Sequence, residues 1–107
     1  MATLRANGEK LVELTATKFF TDGAEGDPMT KEHKVTFRAM SSGYVLKKTD
    51  VKANYGFGGD AKLYAGTWKR HAKIKAALMT DKAALFAAMQ RWADQLTAKG
   101  WDAEITQ

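Results

Sequence analysis

The chain of 107 residues contains no cysteine, so disulfide staples and thiolate metal sites are excluded, as suits a reducing compartment. Histidine occurs only twice, at His33 and His71, with no acid at a recognisable spacing from either. That leaves no first shell for a metal and no paired base for a nucleophile. No apolar run approaches the roughly 18 residues that a membrane span needs. The opening "MATLRANGEK" lacks the apolar core of a signal peptide. These absences lead to the expectation of a cytoplasmic protein, not an enzyme, without cofactor or metal and without a membrane partner. Proline occurs once, at Pro28, within "TDGAEGDPMTKE". With two glycines and four acids, residues 21–32 read as an exposed loop.

Acid is scarce where base is dense. The net charge is +5 and the sequence pI about 9.5. From His33 to Lys75 there are ten Lys or Arg against two acids, a net of +8, while the other residues carry seven basic and ten acidic groups, a net of −3. Such a polarised molecule offers a positive field to phosphates or to an acidic partner.

The length fits one domain over residues 1–107, and the 45% apolar fraction is ordinary for a folded one. "ATLRANGEKLVELTATKF" reads as an opening hairpin, with Asn7-Gly8 as its two-residue turn signal, because both residue types tolerate positive φ. After it Val12, Leu14 and Ala16 alternate with Glu13, Thr15 and Thr17, which predicts a half-buried strand. "HKVTFRAMSSGYVLKKTDV" reads as a second hairpin. A two-residue Ser42-Gly43 turn would set Ala39 opposite Leu46 and Phe37 opposite Lys48. Val35, Phe37, Ala39, Tyr44 and Leu46 would then share the core face, and Lys34, Arg38 and Lys47 the other. A three-residue turn would mix these sets. A glycine-rich loop runs from Asn54 to about Gly66. Residues 67–78, "TWKRHAKIKAAL", read either way: the alternation favours a strand, with Lys69, His71, Lys73 and Lys75 on one side, while the alanines and lysines suit a helix.

The clearest element is "TDKAALFAAMQRWADQLTAKG". Thr80 or Asp81 can cap its start, Leu85, Met89, Trp92 and Leu96 form one stripe, and Gly100 stands where a left-handed C-cap belongs. Trp101, Ala103 and Ile105 then alternate as a short terminal strand. The expected fold is α+β: an antiparallel sheet of about five strands, one long C-terminal helix on one face, and a short final strand. The other face should meet water or a partner.

On that uncovered face the reading gathers Lys34, Arg38, Lys47, Lys69, His71, Lys73 and Lys75. Clustered cations hold phosphates independently of sequence. Lysines at alternate strand positions stand roughly 7 Å apart. The same lysines also serve as a solvated face that guards a sheet edge. Tyr55, Phe57 and Tyr64, interleaved with Lys62 in the glycine-rich loop, are aromatics that can stack on bases. A P-loop is excluded because Gly59 leads into Asp60 rather than Lys-Ser/Thr. Two functions follow as expectations: a small basic nucleic-acid-binding protein, single- or double-stranded, or a protein-binding inhibitor or accessory module docking on an acidic surface. Phe86 and Trp101 are the residues that could anchor a homodimer or partner.

Overall fold

A computed structural model describes residues 8–22, 29–54 and 62–106. Strand β1 (Lys10–Asp22) pairs antiparallel with β2 (Met29–Met40), and β2 with β3 (Tyr44–Asn54). Two short strands divide the outer edge of β3. Strand β4 (Lys62–Tyr64) lies along Val51–Ala53, and β5 (Lys69–Lys73) along Tyr44–Lys47. A single helical turn, α1 (Ala76–Met79), leads into the long helix α2 (Lys82–Ala98). Strand β6 (Asp102–Thr106) then returns to pair antiparallel with β1 at the opposite edge. The α+β class, the covering helix and the short last strand are as the sequence leads one to expect, with six strands in place of about five.

The core forms where the alternation of β1 meets the stripe of α2. Val12, Leu14 and Ala16 are buried, with Leu14 opposite Phe37 and Ile105 across its two ladders. Leu85, Met89 and Ala93 of α2 close over them, and Trp92, Leu96 and Phe86 pack at the margin. Each such aliphatic side chain removed from water contributes about 1.5–3 kcal/mol. The helix is held at both ends. Asp81 accepts a hydrogen bond from the Ala84 amide at 3.1 Å. At the other end Gly100 takes φ 93°, its amide donates to Thr97, and the Trp101 amide reaches back to Leu96. That is a Schellman closure, and glycine supplies the left-handed residue it requires.

The second hairpin takes the three-residue turn. Ser41, Ser42 and Gly43 connect the strands, Gly43 stands at φ 94°, and Ala39 lies opposite Val45. Phe37 is therefore opposite Lys47. Val45 enters the helix-side core, while Tyr44 and Leu46 turn to the other face. The expected core set is corrected accordingly, and so is the expected company of Lys47. Val45 and Leu46 are adjacent and both apolar, so patterning does not choose between them. The left-handed glycine closes the longer turn. Ser41 fixes its place by accepting from the Glu9 amide at 2.7 Å while its own amide donates to the Glu9 carbonyl.

Three further boundaries differ from expectation. The glycine-rich loop read from Asn54 to about Gly66 contains strand β4, because Lys62–Tyr64 pairs with Val51–Ala53. The segment 21–32 is not all loop: β1 runs to Asp22 and β2 begins at Met29. The segment 67–78 is strand only over residues 69–73. It turns away where the Ile74 amide donates to the Gly43 carbonyl, and its end is helical. Residues 2–6, the expected first arm of the opening hairpin, lie outside the described residues. Among the described residues no helix is long and apolar enough to cross a membrane.

Candidate functional site

The face of the sheet opposite α2 carries charges of both signs. Arg38 donates to Glu13 Oε2 at 2.7 Å, and Lys10 approaches the same carboxylate at 3.5 Å. Burial alone would raise Glu13, but the Arg38 hydrogen bond and the charges of Arg38 and Lys10 outweigh it, holding the carboxyl below its ordinary value. The Arg38 guanidinium also lies 4.4 Å from the centre of the Trp68 ring, with Lys48 5.2 Å from the same ring. Arg70 covers Tyr44 at 4.1 Å. These plates of cation on aromatic shelter Leu46, which is buried on this side. Lys34 is exposed but stands across from Asp50 in the ladder. Asp102 and Glu104 of β6 sit across β1 on the same face, opposite Thr17 and Thr15. The expected uniform basic face is therefore not formed.

The cations gather instead at the outer edge of β3. The edge is built by a bulge. Arg70 pairs with Leu46 and Ala72 with Val45, which leaves His71 as one extra residue on β5. Bulges re-aim side chains. Here His71 turns to the helix side, where its ring stacks on Trp92 at 5.5 Å and meets the edge of Phe37 at 5.5 Å. Lys69 lies directly opposite Lys47, and the Lys47 ammonium stands 5.7 Å from the Phe37 ring.

Between β4 and β5 the edge of β3 is left to the segment 65–68, and a pocket of about 520 Å³ opens there. Lys47, Lys69, Arg70 and His71 line it together with Thr49, Thr67, Ala65 and Gly66. No carboxylate lines it among the described residues. The nearby Asp50 carboxylate holds the pocket wall itself: it accepts from the Gly66 amide at 2.8 Å and pairs with Lys48 at 3.6 Å. Gly66 is required by close approach, because a Cβ there would run into the Thr49 carbonyl.

Of the expected set, Lys47, Lys69 and His71 are thus brought together, but at the helix-side margin rather than on the open face. Lys73 pairs with Tyr44 on the far side of the same strand, and Lys75 is exposed just before α1. Lys62 is exposed on β4, opposite Ala53. Lys34 and Arg38 stand apart on β2. Tyr55 and Phe57 lie outside the described residues. Arg70 and the two threonines were missed: strict alternation put Arg70 on the apolar side, and nothing in the sequence marks a threonine as a pocket wall.

The fold defines an α+β protein with a six-stranded antiparallel sheet covered by one helix. No protein family, no curated protein and no solved structure matches the chain.

Proposed function

We propose that the protein is a small, non-enzymatic nucleic-acid-binding protein that works in the cytosol and holds phosphates along the β5 edge. The single observation that carries this reading is the pocket, lined by no acid among the described residues, and its continuation: Lys47, Lys69, Arg70 and His71 at the gap, then Lys73 and Lys75 along the chain leaving it. Cations already neutralised by carboxylates release few counterions on binding. Those facing no carboxylate release the most, and that release drives affinity. The edge also suits an extended strand, because β5 is exposed throughout its length. The test is a salt titration against single- and double-stranded oligonucleotides. Affinity is expected to fall steeply with salt and to be lost in the triple variant K69Q/K73Q/K75Q, which should stay folded. A wild-type protein that binds no oligonucleotide at low salt would sink the reading.

A second reading, docking on an acidic protein, is favoured by a different observation. On the helix side a groove of about 310 Å³ runs between β5 and α2, lined by Val45, Ile74, Leu78 and Met89, with the exposed basic residues Lys75 and Arg91 at its margin. An apolar groove with a basic margin suits an acidic amphipathic helix. That reading expects Leu78→Asp to abolish retention of such a peptide and to leave oligonucleotide affinity unchanged. Retention of the peptide by the variant would refute it.

A further inference from the structure

The pocket at the edge of β3 has a property that general phosphate holding along a strand does not require. Lys47 and Lys69 are direct cross-strand partners, so two cationic side chains leave the ladder on the same face. Like charges placed opposite one another in a ladder destabilise it. Here the bulge at His71 adds a third nitrogen group to the same side rather than relieving the pair. With no carboxylate lining the pocket among the described residues, an anion seated between the two lysines is what would remove the repulsion.

The charge count points to the kind of anion. Two lysines and two threonines line one recess, while the Arg70 guanidinium is turned onto Tyr44 and the His71 ring onto Trp92. A phosphodiester inside a strand carries one charge, enough to balance only one of the two lysines. A phosphomonoester carries about −1.5 to −2 charge near neutral pH and three strong acceptor oxygens. The recess is walled on one side by Ala65–Gly66–Thr67, which packs against Thr49 and is tied to Asp50. The route out follows β5 past Lys73 and Lys75.

We infer that this pocket seats a phosphomonoester, the terminal phosphate of a nucleic-acid strand whose backbone then runs along β5. The inference rests on the nucleic-acid reading above and sharpens it from general binding to recognition of a phosphorylated end. A strand end is distinguished from the interior by charge and oxygen count, with no base contact needed.

The experiment compares one single-stranded sequence in three forms, 5′-phosphorylated, 3′-phosphorylated and unphosphorylated, by fluorescence anisotropy at low salt. The expected result is a preference of roughly tenfold or more for one phosphorylated form, since a hydrogen bond to a charged group carries that much. Lys47→Gln should erase the preference while leaving most of the affinity for the unphosphorylated strand. K73Q/K75Q should weaken all three forms alike and keep the preference. Equal affinity for the three forms overturns the inference and leaves the nucleic-acid reading standing. If no form binds, the nucleic-acid reading fails. Titration with inorganic phosphate and with a mononucleotide, followed at the Gly66 and Thr67 amide resonances, then decides for the pocket. Movement of those resonances, abolished in Lys47→Gln, supports a small phosphomonoester as the occupant. Their failure to move excludes one.

Discussion

Two single residues set the local character of the sheet edges and faces, and each makes a measurable claim. Gly66 lets the chain pass against the Thr49 carbonyl, and its amide is held by Asp50. Gly66→Ala has to push segment 65–68 off the edge of β3. An overpacking cost of about 1–3 kcal/mol is expected in chemical denaturation, together with weaker oligonucleotide binding. An unchanged denaturation midpoint would mean that the close approach is not needed. Glu13 makes the second claim. Its folded pKa lies below the ordinary value of 4.5, so its pairing with Arg38 and Lys10 stabilises the fold fully above that value. The contribution is lost as pH falls below 4.5 and through the folded pKa. Stability of the wild type should therefore drop in that acid window more than stability of Glu13→Gln. Parallel pH profiles for the two would refute it.

At the scale of elements, α2 is the part whose behaviour follows most directly from local chemistry. Asp81 caps its first turn and Gly100 closes its last. Asp81→Ala should cost about 1 kcal/mol of stability, read from thermal or denaturant unfolding. No loss would imply that packing on Phe37 holds the helix without its cap. Strand β5 is the opposite case. Its five residues are exposed, and their charge blunts an edge that could otherwise pair with another chain. Replacing Lys69, Lys73 and Lys75 by glutamine removes repulsion and no packing. The triple variant is expected to unfold at the same denaturant concentration as wild type or higher, while binding is lost. A marked fall in that concentration would show the lysine stems to be structural.

Over the whole molecule, charge is sorted across the sheet. Lys69, Arg70 and Lys73 occupy one edge, while Asp102 and Glu104 of β6 occupy the other. A polyanion approaching this field is turned toward β5. The slope of log affinity against log salt should be substantial for wild type. It should shrink by roughly 1.4 units in K73Q/K75Q, which still binds, because each of the two phosphates no longer held on a single strand takes away about 0.7. An unchanged slope would place the phosphate-holding groups elsewhere.

The alternation at Val12, Leu14 and Ala16, the stripe of α2 and its two caps were legible in the sequence because period and capping chemistry are local. So was the terminal strand at 102–106. The candidate site was legible as composition, a basic middle third of the chain, and in the identities of Lys47, Lys69 and His71. Its geometry was not. One residue more in the Ser41–Gly43 turn moved Lys47 to the helix side, and one extra residue in β5 set His71 beside it. By itself the sequence determined the central strands, the long helix and the last strand, and how much positive charge each segment carries. Only the tertiary structure decided which cations meet, because register depends on turn length and bulges. Those are chosen by the packing of Val45, Phe37 and Trp92 together, and no short window of sequence contains all three.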